Sequence, residues 1–263
     1  MPCSALFSLR RRLLLPAATA LALVTGGLAA APAGAAEVQV AVAANFAVPL
    51  ARIAEGFTAA TGHTLKVSAG ATGKFYSQIV AGAPFELLLA ADDETPKKLV
   101  AENHAVAGTA FTYAVGQLVL WSAQPGLVDG QGAVLVSGRF AHLAIANPKT
   151  APYGAAAMEV LKARGLAQVL APRLVTAESI AQAFQFVSTG NAELGFVALS
   201  QVVQPGRPVA GSYWRVPAEL HGEIRQHAVL LKAGEKNPAA LALLAYLKGP
   251  AARAVIQTYG YGA

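Results

Sequence analysis

The chain has 263 residues, a formal charge of +6 and a single cysteine, Cys3. Residues 1–36 begin with Arg10, Arg11 and Arg12, pass through an apolar run from Leu13 to Leu28, and end in small residues with Ala-x-Ala steps, which reads as a secretory signal peptide cleaved after Ala35 or Ala36. Removing it leaves about 227 residues at a formal +3 without cysteine, so disulfides, thiolate chemistry and Cys metal ligands are excluded; with no Lys/Arg cluster interleaved with aromatics, so is a nucleic-acid surface.

Pro16, Gly26 and Gly27 interrupt the apolar run, which falls short of the roughly 20 residues that a membrane span requires. The expected product is an exported, soluble, monomeric protein in the periplasm of a double-membraned bacterium.

The rest of the chain alternates short apolar runs with helical spacing, the pattern of parallel strands covered by helices. Val38 to Ala44 is a predicted strand, and Phe46, Leu50, Ile53, Ala54 and Phe57 then recur on one helical face. Thr64 to Ala69 is a strand, with a helix from Gly73 to Ala81; Leu87 to Ala90 is a third strand, with a helix over Thr95 to Glu102. A Gly-rich, β-rich stretch from Phe111 to Gly138 interrupts this unit.

Alternation resumes with strand Leu143 to Ala146, a helix from Gly154, strand Leu174 to Thr176, a helix marked by Ile180, Ala183, Phe184 and Val187, and strand Leu194 to Ala198. Gln226 to Leu231 is again a strand, and Pro238 to Leu247 and Pro250 to Tyr259 are closing helices with Pro in the first turn. Two similar α/β halves predict two lobes with a cleft where strand ends meet. The expected division is 37–116 for the first lobe, 117–226 for the second and 227–263 returning to the first. The crossings are placed at Tyr113 to Leu120 and Gln226 to Leu231.

Catalytic and metal motifs are missing. No Gly-x-Ser-x-Gly or His-Glu-x-x-His occurs, and His63, His104, His142, His221 and His227 lack the i,i+4 pairing of helical zinc ligands. Asp92, Asp93 and Glu94 precede a helix and read as capping carboxylates. In Gly70-Ala71-Thr72-Gly73-Lys74 the phosphate-loop pattern fails, because Ser68 replaces its first glycine and Phe75 its final Ser/Thr. What survives is a tight turn from strand to helix with amides facing outward, which suits an oxyanion.

That device occurs four times: at Ala44-Asn45, Ala71-Thr72, Ala151-Pro152-Tyr153-Gly154 and Glu178-Ser179-Ile180. Asn45 offers a side-chain amide, Thr72 a hydroxyl, and the N–H groups near Tyr153 and Ile180 sit at positive helix ends. No Lys, Arg or His stands at these points, so neutral donors would hold a small, fully deprotonated anion. Lys74 reads as a solvated helix lysine and Glu178 as a cap.

Ala43-Ala44-Asn45-Phe46, Gly70 to Lys74, Gly82-Ala83-Pro84-Phe85-Glu86 running into Ala90-Ala91-Asp92, Asn147-Pro148, Ala151 to Gly154 and Leu194-Gly195-Phe196-Val197-Ala198 together resemble the periplasmic molybdate-binding proteins of ABC importers. The resemblance runs from Val38 to Tyr259 and is nearest the branch with Asn at position 45. It implies a type II periplasmic-binding-protein fold of class α/β, with two lobes, each a mixed sheet covered by helices. It also implies a non-enzymatic, cofactor-free receptor that closes on molybdate or tungstate and delivers it to a membrane permease.

The implied anion-binding residues are Ala44 and Asn45, Thr72, and the backbone N–H groups of Tyr153 and Ile180. The chain departs from the pattern in Ala44, where that branch has Thr, in Thr72, where Ser is usual, and in Ala198, where some relatives carry Tyr. Another tetrahedral oxyanion such as sulfate is the alternative ligand.

Overall fold

A computed structural model describes residues 34–262, so the signal peptide expected at residues 1–36 lies almost entirely outside the described residues. The chain begins with β1 (Glu37–Ala43), α1 (Ala47–Thr61), β2 (Thr64–Gly70), α2 (Thr72–Val80), β3 (Leu87–Leu89), α3 (Glu94–Ala101) and β4 (Phe111–Gly116). Only Gln117 separates β4 from β5 (Leu118–Ser122). The chain continues through α4 (Val134–Ser137), β6 (Leu143–Ala146), α5 (Pro152–Ala163), α6 (Ala167–Leu170), β7 (Leu174–Ala177), α7 (Ile180–Ser188), β8 (Leu194–Ala198), α8 (Leu199–Val202) and β9 (Ser212–Arg215). It closes with β10 (Ile224–Leu230), α9 (Pro238–Leu247) and α10 (Pro250–Thr258).

Two mixed five-stranded sheets result, ordered β2-β1-β3-β10-β4 and β7-β6-β8-β5-β9. In the first, β1 runs parallel to β2 and β3, while β10 is antiparallel to β3 and β4. The second repeats the scheme: β6 is parallel to β7 and β8, and β5 is antiparallel to β8 and β9. This is the expected two-lobe α/β architecture. β9 escaped the sequence reading because Ser212-Tyr-Trp-Arg215 is short and lies at a sheet edge. Residues 134–137, inside the stretch read as β-rich, are helical. β10 starts at Ile224, so the expected lobe break between 226 and 227 falls within this strand.

The period-2 geometry of β1 explains why both faces of the first sheet are covered. Val38, Val40 and Val42 pack with Phe46, Leu50, Ile53 and Phe57 from the first turn-and-helix and with Leu243 and Leu247 of α9. Ala41 points the other way, into a cluster with Phe75 and Ile79 of α2 and Leu99 of α3. α1 ends at Gly62, whose φ of +75° makes the left-handed stop that glycine adopts without strain. α5, α9 and α10 each carry Pro at the start, where its missing N–H costs no helical bond.

The core of the second sheet is not confined to that sheet. It includes Ala43, Ala44, Ala71 and Ala91, which stand at strand ends of the first, so the lobes meet through small apolar side chains. Among the described residues no single helix is long and apolar enough to cross a membrane.

Candidate functional site

Four parallel strands end at the meeting of the lobes, and each leads into a helix start. β1 runs into a 3₁₀ turn at Ala44–Phe46, β2 into α2 at Thr72, β6 through a short loop into α5 at Pro152, and β7 into α7 at Ile180. Ala44, Asn45, Thr72, Tyr153 and Ile180 line one cavity between them. The rest of its wall is Ala43, Gly70, Ala71, Ala91, Ala151 and Pro152. All five expected residues are buried, Asn45 at 2% and Thr72 at 1% exposure.

The cavity has no Asp, Glu, His, Lys or Arg in its lining and is small, with about 200 Å³ of atom-free space against about 920 Å³ for the open cleft beside it. The first N–H groups of a helix have no acceptor within their own helix, so those of Ala44, Asn45, Thr72, Tyr153 and Ile180 are available to a ligand, and four positive helix ends converge on it. Thr72 Oγ1 accepts from the Ala91 N–H at 3.0 Å, which leaves its own hydroxyl hydrogen free to donate. Ala198, by contrast, does not line the cavity. Among the described residues no His, Cys, Asp and Glu cluster could hold a metal ion.

The Asn45 side chain is placed otherwise than expected. Its Nδ2 donates to Gln226 Oε1 at 2.9 Å and to the Tyr261 hydroxyl at 3.0 Å, while Oδ1 is buried without a partner. The Asn45 carbonyl lies 2.9 Å from both the Ser200 and the Tyr261 hydroxyls, which fixes the backbone of the 3₁₀ turn after β1. Gln226 Nε2 donates to the Tyr153 hydroxyl at 3.0 Å, and the Tyr113 hydroxyl lies 2.8 Å from Gln226 Oε1.

This polar group joins the two lobes beside the crossing strands. A Cβ on Gly116 would lie 2.2 Å from the Tyr153 hydroxyl, so only glycine lets that side chain reach Gln226. Burial pushes the Tyr113, Tyr153 and Tyr261 hydroxyls above the usual phenol range, so they remain protonated and able to donate.

A second set of contacts joins the lobes at the cavity edge. The Gly73 N–H donates to the Thr150 carbonyl at 2.9 Å, and Lys74 pairs with Glu178 across the cleft. Lys74 is thus not simply a solvated lysine. Glu178 does not cap α7; Ser179 does, its side chain accepting from the Gln182 N–H at 3.4 Å. Asp92 behaves as read, with its carboxylate accepting from the N–H (2.8 Å) and hydroxyl (3.2 Å) of Thr95, while Asp93 pairs with Lys97. Burial raises the Asp92 carboxyl above its ordinary value, with the Thr95 bonds opposing.

Sequence reading missed Gln226, Tyr261, Ser200, Gly73 and Thr150. Gln226 alone left a usable signal. It is a fully buried polar residue on the face of β10 that also carries Ile224, Ala228 and Leu230, where alternation calls for an apolar side chain.

Two α/β lobes that meet over a small cavity at their strand ends have the architecture of a solute-binding protein. Residues 38–262 match the family described as bacterial extracellular solute-binding protein. The chain is 62% identical to the molybdate-binding protein ModA of Azotobacter vinelandii over 90% of its own length and 94% of that protein's. It is 54% identical to ModA of Rhodobacter capsulatus over 93% and 94%. The solved periplasmic molybdate-binding protein of Azotobacter vinelandii matches with a TM-score of 0.84 at 42% identity, covering 86% of this chain and 99% of that one. The chain belongs to the bacterial extracellular solute-binding proteins, in their molybdate-binding ModA group.

Proposed function

We propose that the protein captures molybdate, and tungstate with it, between its two lobes and hands it to the membrane permease of an ABC importer. The observation that carries this reading is the convergence of four helix starts on one small, buried, charge-free cavity. A tetrahedral dianion needs donors on all sides and no acceptor, and this wall supplies backbone N–H groups and the Thr72 hydroxyl. Ala44, Asn45 and Thr72 would bind from the first lobe and Tyr153 and Ile180 from the second, so the anion holds the lobes shut.

Six charge-assisted hydrogen bonds, five from backbone N–H groups and one from the Thr72 hydroxyl, at about 1.5 to 3 kcal/mol each give about 9 to 18 kcal/mol before the costs of association, enough for micromolar or tighter capture. The working protein would be a periplasmic monomer released by cleavage near Ala35 or Ala36, acting in transport and not in catalysis. The first lobe would comprise residues 37–116 with the returning C-terminal segment.

Calorimetric titration of the mature chain with molybdate, tungstate, sulfate and phosphate tests the reading. Molybdate and tungstate should bind tightly and the smaller anions weakly. Binding of sulfate or phosphate without molybdate would overturn it.

A further inference from the structure

The hydrogen bonds around Asn45 and Gln226 are short of partners as they stand, and counting hydrogens shows how. Asn45 Oδ1 has none. The Tyr113 hydroxyl has one hydrogen for two acceptors, the Ala90 carbonyl at 3.1 Å and Gln226 Oε1 at 2.8 Å. The Tyr153 hydroxyl accepts from Gln226 Nε2, which leaves its own hydrogen without a protein acceptor among the described contacts.

A primary amide occupies nearly the same space either way round, with donor and acceptor exchanged. Turning both amides over completes the bonding of Gln226, Tyr113 and Tyr153 at the cost of one contact, because the single Tyr261 hydrogen then goes to Asn45 Oδ1 and leaves the Asn45 carbonyl to Ser200 alone. Gln226 Nε2 then donates to Asn45 Oδ1 and to the Tyr113 hydroxyl, Tyr113 donates to Ala90, Tyr153 donates to Gln226 Oε1, and Tyr261 donates to Asn45 Oδ1. The amide end that Asn45 turns away from Gln226 and Tyr261 becomes Nδ2, a buried donor without a protein partner on a residue that lines the cavity.

We infer that Gln226 is a positioning residue for the anion site. It fixes the orientation of the Asn45 amide so that Nδ2 faces the ligand, and through the Tyr153 hydroxyl it ties that orientation to the opposite lobe. Gln226 touches no ligand itself and is fully buried on β10. Its position between Asn45 of one lobe and Tyr153 of the other makes the donor set on the first lobe depend on the second being docked. This inference rests on the oxyanion reading above.

Two measurements test it. In ¹H–¹⁵N spectra of the wild-type chain, with the Asn45 side-chain pair assigned by its loss in Asn45→Ser, saturating molybdate should shift the Nδ2 hydrogens and slow their exchange with water. In calorimetry, Gln226→Leu should weaken molybdate binding about 10-fold, the value of one hydrogen bond to a charged group, but by less than about 3-fold when Asn45 is already Ala. Asn45 side-chain resonances unmoved by bound molybdate would overturn the inference, as would a Gln226→Leu loss equal in both backgrounds. The spectral measurement decides even where the variant does not fold. Failure of the wild-type chain to bind molybdate at all overturns the oxyanion reading instead.

Discussion

Gly73→Ala separates closure of the lobes from stability of either one. Gly73 is the second residue of α2, and its N–H bonds to the Thr150 carbonyl of the facing lobe at 2.9 Å. A methyl there would stand 3.0 Å from Thr150 Cα and 3.1 Å from its carbonyl oxygen. Both are backbone atoms, which cannot rotate away, so the lobes would have to settle a few tenths of an ångström further apart. Overpacking of this kind costs about 1 to 3 kcal/mol, which corresponds to molybdate binding about 5- to 150-fold weaker. With the lobes apart the methyl meets no such wall, and alanine is favoured over glycine within a helix by about 0.5 to 1 kcal/mol. Titration calorimetry should therefore show a clear loss of affinity while the ligand-free melting temperature holds or rises. Unchanged affinity, or a matching fall in ligand-free stability, would refute the view that this contact limits closure.

Ile180→Pro should remove one anion donor and leave the helix intact, because Ile180 is the first residue of α7 and Ser179 before it is already extended (φ −149°, ψ 167°). Calorimetry should read a loss of about 10- to 150-fold with little change in melting temperature. At Tyr153 the proposed ligand contact is through the backbone, so alanine would be mild for binding. The side chain is 1% exposed, so Tyr153→Ala should cost about 3 to 5 kcal/mol in urea unfolding, and Tyr153→Phe only about 1 kcal/mol. Reversing Lys74 or Glu178 singly should speed molybdate release by at most about fivefold at low salt. Lys74→Glu with Glu178→Lys should restore it, and 1 M salt should abolish the difference, as stopped-flow release can show.

Asp92 gives a pH dependence. Burial holds its folded carboxyl above the ordinary carboxylate value, so its contribution to stability is complete below that ordinary value and is lost as the pH rises through the raised one. Asp92→Asn keeps an oxygen for the Thr95 N–H. It should be neutral in urea melts at pH 3 and stabilising at pH 7; a larger gain at pH 3 would contradict the sign.

The parallel strands and their helices were readable because each is a run of apolar residues at one period, bounded by Gly, Pro or polar turns. β1, β2, β6 and β8 show this within a residue or two of their ends. β9 was not readable, since an edge strand of four residues leaves no period to detect. The four strand-to-helix turns were legible for the same local reason: strand, tight turn and helix start are contiguous in sequence. The contacts between lobes were not. Lys74 and Glu178 are 104 residues apart, and Asn45 and Tyr261 are 216 apart, so each partner looks ordinary until the fold brings it to the other. Glu178 reads as a cap because it precedes a helix, and only the position of Lys74 shows where its charge is used.

That division bears on how a site without charge selects its anion. Sulfate, molybdate and fully deprotonated phosphate offer the same tetrahedron of oxygens, so the N–H groups alone distinguish them weakly. The contacts between lobes add a geometric condition. Gly73 against Thr150 limits how closely the two walls of the cavity approach, and on the proposed reading an anion smaller than that separation would not reach the N–H groups of both lobes at full strength. Hydrogen phosphate meets a further barrier, because its proton needs an acceptor. Among the residues that line the cavity, the buried side-chain acceptor without a partner is Asn45 Oδ1. If Gln226 holds that oxygen turned inward, the proton finds nothing there, and the same amide that supplies a donor to molybdate leaves a protonated anion with an unmade hydrogen bond.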